Sequence, residues 1–580
     1  MNWHKFAWIL AILALMGMPG TVRGQAGLDP QQLPKSTVFY VAWHGMPTGG
    51  ARSANSLLAL WDDADFAPAR AEIMEQLLSG PADSKKTQKP MSKEELAEVA
   101  SLLDNELVAG YLSDPEPAKA GSKSAEVNAH KWNGLFFVYD RTGKEAILAK
   151  LLLRAGTSGG EPAKISEVKL AGIAAMKIES KSRTSYWAED GKYAYGASEP
   201  AAFEQLVAWS KHAAPEAGWL AKTAGYKDAG EILKGGVVQF YFQVPSLKSF
   251  GADANPGGFR MGPMLQNLKI DSVHCIAGQI GTEGARTRVR GAILGDASPG
   301  TPFDIWSAGV ASPGSLQLVN NSVISYQTSQ INLLGIYGLI KRALSGSGGG
   351  NQKGPADFVE SAVQAKLAMS VREALGQFSG EVAAIQSNAG LDPAKKVYVI
   401  GIKDKPEALK LMHRALEERI SGERSEGDTT FFRVSEGGIQ SGAGTATWKY
   451  YQAAVTPDFV VVASRNEALR EALARKKSAG SDGLQLPAAW QTARAQFPAT
   501  LSGLAFTDFQ KVDWAAAKEK WSAKPGKAGV VARPVAKADA GTFENALRNL
   551  DPKVLQRHLH LGASGSWKDA QGVHVDGWIE

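Results

Sequence analysis

Two long stretches of this chain follow the same succession of elements, and that repetition limits the fold more than composition does. Leu135 to Ala155 (LFFVYDRTGKEAILAKLLLRA) and Val397 to Ile420 (VYVIGIKDKPEALKLMHRALEERI) each read as a short apolar strand, a polar turn and an amphipathic helix. Lys405, Pro406 and Glu407 make a good helix start in the second, because proline's fixed φ suits a first turn. Alternating strands follow in both, Ala174 to Ser180 (AAMKIES) and Thr429 to Glu436 (TTFFRVSE). The stretch SYWAEDGKYAYGASEPAAFEQLVAWSK, from Ser185, then matches YYQAAVTPDFVVVASRNEALREALARK, from Tyr450. In each, two strands flank a tight turn (Glu189-Asp190-Gly191; Thr456-Pro457-Asp458) and lead to a serine, Ser198 or Ser464, expected to cap a helix.

The correspondence extends both ways. Asn105 to Leu112 (NELVAGYL) matches Gly380 to Ser387 (GEVAAIQS), each after an amphipathic helix, and Ser92 with Glu95 makes a capping box for the first of these. Ser56 to Leu78 has a rough counterpart in Ile331 to Leu344 and Pro355 to Leu367. Val237 to Pro245 (VVQFYFQVP) resembles Leu501 to Phe509 (LSGLAFTDF), and the hairpins VHCIAGQIGTEGARTRVRGAI and LHLGASGSWKDAQGVHVDGWI pair last. The expected fold class is therefore α+β with an internal duplication, two similar halves each an antiparallel sheet packed with helices on one side. The halves span residues 32–295 and 314–580, with Asp296 to Pro313, rich in Pro, Gly and Ser, as a linker. Asp114 to His130 reads as a polar insertion and Ser345 to Pro355 (SGSGGGNQKGP) as a low-complexity loop.

The first 24 residues read as a secretory signal peptide. Phe6 to Met18 is thirteen apolar or small residues, short of the roughly 20 a spanning helix needs. Pro19 and Gly20 break the helix, and Val22-Arg23-Gly24 suits cleavage after Gly24. No later stretch reaches spanning length, so the expected location is periplasmic or secreted. Removing Lys5 and Arg23 with the leader lowers the net charge from +6 to +4, too little for a nucleic-acid binder of 580 residues. The densest basic stretch, Lys518 to Lys537, is rich in Gly, Pro and Ala and reads as a solvated loop. One cysteine excludes an intramolecular disulfide framework, and Cys275, within VHCIAG, reads as a core thiol. The 15 tryptophans read as packing between helices and sheet rather than as a sugar platform.

Each motif that suggests chemistry meets a simpler structural reading. Gly156-Thr157-Ser158-Gly159-Gly160 fits the G-x-S-x-G pattern, but a helix precedes it and no helical period follows, so it reads as a helix-ending loop. His558 and His560 share one face if the segment is a strand, and His574, expected opposite Gly565, then lies about 16 Å from His560, too far to share a metal. Asp62, Asp63 and Asp65 form an acidic cluster, yet Asp65 before Phe66-Ala67-Pro68 reads as a helix cap. His44 has no partner in sequence, and no Walker loop, HExxH, EF-hand loop or dinucleotide fingerprint occurs. No catalytic, cofactor-binding or metal-binding residue is nominated, and no cofactor.

The leader, LPKSTVFYVAW, SLLALWDDADFAP and the strand-ending YYQAAVTPDFVVVASRNEALREAL together resemble a bacterial secreted family known only as a domain of unknown function, number 3352. That resemblance covers most of the mature chain and implies an extracytoplasmic location without assigning an activity or any functional residue. The expected function is non-enzymatic: a binding or scaffold protein of the cell envelope, whose partner is an envelope protein or an apolar small molecule it carries. The alternative is a secreted hydrolase whose site is assembled from residues distant in sequence.

Overall fold

The computed structural model describes residues 28–79, 93–113, 134–149, 164–180, 183–211, 215–246, 266–345, 355–387, 395–435, 450–482, 488–522 and 550–580. The leader, Ser92, the Asp114 to His130 insertion, the Gly156 to Gly160 motif and most of the Ser345 to Pro355 and Lys518 to Lys537 stretches lie outside them.

Ten strands come from the first part of the chain: β1 Thr37–His44, β2 Glu106–Leu112, β3 Leu135–Asp140, β4 Lys164–Leu170, β5 Ile173–Ser180, β6 Arg183–Asp190, β7 Tyr193–Ala197, β8 Val238–Gln243, β9 Val273–Glu283 and β10 Arg286–Gly295. Ten more follow: β11 Ser325–Gln330, β12 Phe378–Gln386, β13 Val397–Ile402, β14 Ile420–Glu426, β15 Thr429–Ser435, β16 Tyr450–Val455, β17 Phe459–Ala463, β18 Gly503–Asp508, β19 Leu561–Lys568 and β20 Gly572–Ile579. All twenty join one open antiparallel sheet, making the protein mixed α/β. From edge to edge the order is β4-β5-β6-β7-β3-β2-β1-β8-β9-β10, then β20-β19-β18-β11-β12-β13-β17-β16-β15-β14. The seam is β10 against β20, from Thr287 opposite Ile579 to Leu294 opposite Gly572. Both edge strands carry exposed charge, Lys164 and Lys169 on β4 and Glu423, Arg424 and Glu426 on β14, which discourages further strand addition.

The helices relevant here are α1 Ser56–Asp62, α2 Ala67–Ser79, α3 Pro200–Ser210, α4 Ala224–Ala229, α5 Leu333–Ser345, α6 Pro355–Leu367, α7 Lys405–Leu416, α8 Asn466–Asp482, α9 Ala488–Arg494, α10 Trp514–Ser522 and α11 Pro552–His558. They cover both faces of the sheet, not the single face expected from the sequence. On β1, Tyr40 and Ala42 point to one face and pack with Phe203 and Leu206 of α3 and Tyr226 of α4. Trp43 points to the other and packs with Leu60 of α1, Ile73 of α2 and Val554 and Leu555 of α11. The far half behaves alike: Val461 packs with Leu469 of α8 and Trp490 of α9, whereas Val460 faces Ala408 of α7. The cause lies in the strands. Phe136, Phe137, Val138 and Tyr139 are successive buried residues, and such a run must be covered on both sides.

Local signals act as their chemistry demands. Asp404 caps α7 by accepting from the Glu407 amide at 2.9 Å, and Pro406 lies in its first turn. The acidic cluster caps differently from the expectation: Asp63, not Asp65, is the cap, accepting from the Asp65 amide at 2.8 Å at the 3-10 turn Ala64–Phe66. Ser198 does not cap α3 either; Glu199 takes that position, and the Ser198 hydroxyl donates to the Leu135 carbonyl. Within the Asp296 to Pro313 stretch Phe303 is fully buried with Val244, Val273 and Val573. Helix α5 stands apart: Leu334 and Ile340 are 37% and 52% exposed, and Phe358 on neighbouring α6 is 75% exposed.

Candidate binding face of the sheet

The residues with chemical potential in sequence are scattered, with one exception. His558 ends helix α11 rather than lying on a strand, and its Nε2 is 2.8 Å from Asp63 Oδ2. Arg557 Nη2 is 3.1 Å from the same carboxylate and 2.7 Å from Asp65 Oδ2. The hydrogen bonds from His558 and from the Asp65 amide hold the Asp63 carboxyl below its ordinary pKa. No described hydroxyl or thiol is bonded to His558, so the group acts as a clamp between α11 and the tip of α1. Asp62 lies outside it, paired with Arg52.

The other residues weighed in the sequence make structural contacts. His560 follows α11 and its Nδ1 is 2.9 Å from the Gln510 amide nitrogen. His574 lies opposite Trp567, not Gly565, stacks on that indole at 5.3 Å, and bonds Asp569 at 3.1 Å. His44 sits opposite Glu106 at the end of β1; its Nε2 is shielded without a hydrogen-bond partner, and burial lowers its pKa. Cys275 is buried, and burial pushes its thiol up to about 12. Among the described residues no three His, Cys, Asp or Glu side chains converge as a metal site would require.

A different surface emerges from strand register. Directly opposed residues of antiparallel strands point to the same face, so each row across the sheet can be read off the pairings. One row is Phe240, Gly278, Gly291, Val575, Ser566, Gly503 and Ser329, from β8 through β9, β10, β20, β19 and β18 to β11. The next is Val238, Ile280, Val289, Gly577, Ser564, Ala505 and Gln327. Seven strands at about 4.8 Å spacing make this face roughly 29 Å long. Its apolar end is open only in part: Phe240, Val289 and Val575 are 38%, 43% and 44% exposed, whereas Val238 and Ile280 are buried in the core with Trp43. The Phe240 ring lies on Gly278, where a Cβ would come within 2.4 Å of it, whereas a Cβ on Gly291 would meet only the Ala277 carbonyl oxygen at 3.7 Å. Toward β11 the rows turn polar, before they run on into Val382 and Ala384 of β12 and Ile400 and the exposed Tyr398 of β13. Gln327 is exposed, Ser329, Ser564 and Ser566 are half-buried, and these four side chains form no hydrogen bond among the described residues.

Both margins of this face are roofed. At one, Phe303 and Trp306 pack over Ile293 and Val573. At the other, the Thr287 hydroxyl bonds Asn55, the cap of α1, at 3.2 Å, and the Phe509 ring lies on Gly562. The reverse side of the same strands is sealed by Tyr241, Cys275, Ala277, Phe506 and Tyr326, all buried. Charge is confined to that reverse side at the seam, where Arg288 joins Asp576 and Glu283, and Arg286 joins Glu580 while its guanidinium lies 4.1 Å from the Trp578 ring centre. A shallow hollow at Trp490, Arg494, Phe497 and Ala499 also lies on the α9 side.

No residue of the open face was singled out from sequence. The available signal was the alternation on β18 of small Gly503 and Ala505 with large Leu504 and Phe506; on β19 the run Gly562 to Ser566 is small throughout. Such alternation marks a shared face and leaves open whether that face is covered. No protein-family model, curated protein or solved structure matches this chain.

Proposed function

We propose that this chain is a non-enzymatic, extracytoplasmic binding protein of the bacterial cell envelope that holds an apolar ligand along the open face of its sheet. The observation that carries the reading is the exposed trio Phe240, Val289 and Val575 on β8, β10 and β20, between roofed margins. An exposed apolar strip between covered margins marks a binding surface. Filled cores on both faces, and a His558 whose bond among the described residues goes to Asp63 and not to a hydroxyl or thiol, support binding over catalysis.

The protein is proposed to be an internal duplication, residues 32–295 and 314–580, related to the secreted family of unknown function it resembles. The strand order supports this: β4-β5-β6-β7-β3-β2-β1-β8-β9-β10 recurs as β14-β15-β16-β17-β13-β12-β11-β18-β19-β20 on the far side of the seam. Glu106 and Glu381, in matching strand positions, support it further. Each accepts backbone amides of the segment leading into its half, Leu28 for the first and Gly314 and Ser315 for the second. Secretion follows in this proposal from the leader ending at Gly24.

Native mass spectrometry of the mature protein, purified from its own periplasm or medium and compared before and after organic extraction, tests the reading. An extractable adduct of lipid size is expected. A bare mass for residues 25–580 that also fails to take up added lipid would overturn it. The hydrolase reading has the Asp63–His558 hydrogen bond in its favour. Esterase or peptidase turnover abolished by His558→Ala would replace the binding reading with that one.

A further inference from the structure

We infer that the ligand held on this face is a neutral amphiphile, its apolar chain over Phe240, Val289 and Val575 and a hydroxyl-rich, uncharged head group over Gln327, Ser329, Ser564 and Ser566. The inference rests on the binding reading above and names its ligand class.

Three observations carry it. First, the two rows are chemically divided. From β8 to β20 they hold Phe, Val, Ile and Gly, and from β19 to β11 they hold Ser, Gly, Ala and Gln. Second, the polar end is unspent: its three serine hydroxyls and one amide are free among the described residues to donate and to accept. Neighbouring Ser325, by contrast, already bonds the Thr507 hydroxyl at 3.1 Å. Third, none of the fourteen residues in the two rows is Lys, Arg, Asp or Glu. The same strands carry Arg288, Arg290 and Asp576 on the reverse face. Lys568, two positions beyond Ser566 on the same face, is spent at the roofed margin, its Nζ donating to the Phe303 carbonyl at 2.8 Å. A charged head group over the two rows would lose hydration and meet no charge within them, whereas a polyhydroxylated one finds hydrogen-bond partners of its own kind. Gly291 and Gly577 keep the middle of the face low, so a chain can cross the seam without a side chain in its way.

The test uses the mature protein after organic extraction, titrated with two probes of identical acyl chains: a glucosyl-diacylglycerol and a phosphatidylglycerol. Binding is read by native mass spectrometry and by tryptophan fluorescence. The glucosyl lipid is expected to bind about tenfold or more tighter, the scale of one or two hydrogen bonds to a neutral head group. The triple variant Ser329→Ala, Ser564→Ala, Ser566→Ala is expected to remove that preference, and a preference that survives it would overturn the head-group assignment. Equal or tighter binding of phosphatidylglycerol would overturn the neutral head group and leave the apolar-ligand reading standing. Binding of neither probe, or binding of both unaffected by Val575→Asp on the exposed apolar strip, would overturn the inference and the binding reading together.

Discussion

The guanidinium of Arg288 meets the carboxylate of Asp576 across the β10–β20 seam, Nε to Oδ1 at 2.8 Å and Nη2 to Oδ2 at 2.5 Å. The pair is bidentate and joins strands 288 residues apart in sequence. Donating these hydrogen bonds to Asp576 raises the Arg288 pKa further above its already high value. The Asp576 side chain is 12% exposed and that of Arg288 25%, so solvent screens part of the attraction. Arg288→Ala should cost about 1–2 kcal/mol, below the range for a fully buried pair, because it strands a nearly buried carboxylate. Urea unfolding measures this, and a double-mutant cycle with Asp576→Asn should return a coupling near the same size.

Asp63 makes stability depend on acid. Its folded pKa is depressed, so its contribution is fully present above its unfolded value of about 3.9 and is lost as pH falls through the lower folded value. Asp63→Asn should flatten the acid limb of a stability-versus-pH curve below about pH 4. An unchanged acid limb would mean that the clamp to His558 and Arg557 is not formed in solution.

Cys275 should be inert in the native protein. Its thiol is buried, its pKa is pushed up to about 12, and its sulfur lies 3.1 Å from the Gly225 carbonyl. Labelling with a thiol reagent at pH 8 should proceed only after denaturant is added, since the thiolate is the reactive form.

Two glycines on the open face should respond oppositely to alanine. At Gly278 a Cβ would lie 2.4 Å from the Phe240 ring and 2.9 Å from the Arg290 carbonyl oxygen, so Gly278→Ala should cost about 1–3 kcal/mol. At Gly291 the space is open, and Gly291→Ala should stay within about 0.5 kcal/mol of the parent. Thermal melts of the two variants side by side decide it.

Phe303 and Phe358 make a similar contrast. Phe303, between the halves, is fully buried, and Phe303→Ala should cost about 3–5 kcal/mol. Phe358 is 75% exposed on α6, and Phe358→Ser should leave stability within about 0.5 kcal/mol. Equal effects would contradict the packing of the Asp296 to Pro313 stretch against the core.

Local chemistry was readable wherever the cause was local. The Pro406 helix start and the Val397, Thr429 and Phe459 strands follow from side-chain period and backbone restriction, and the structure has them. Errors arose where a neighbour in space decided. Asp63 caps instead of Asp65 in a turn whose carboxylates also meet Arg557 and His558. His574 slips two positions to face Trp567, because a hairpin's register depends on its turn as well as on strand length. Tyr241 pairs with Tyr40 and Phe506 with Tyr326, one residue away from an end-to-end match of VVQFYFQVP with LSGLAFTDF.

What the sequence determined by itself was the succession of strands, turns and helices, because φ restriction and the two- and 3.6-residue periods act over a few neighbours. Only the tertiary structure decided that β10 pairs β20, that both sheet faces are roofed, and that the row from Phe240 to Ser329 is left open. An alternating strand states which residues share a face. Which face meets a helix and which meets water is settled by contacts hundreds of residues apart, and a local period carries no record of them.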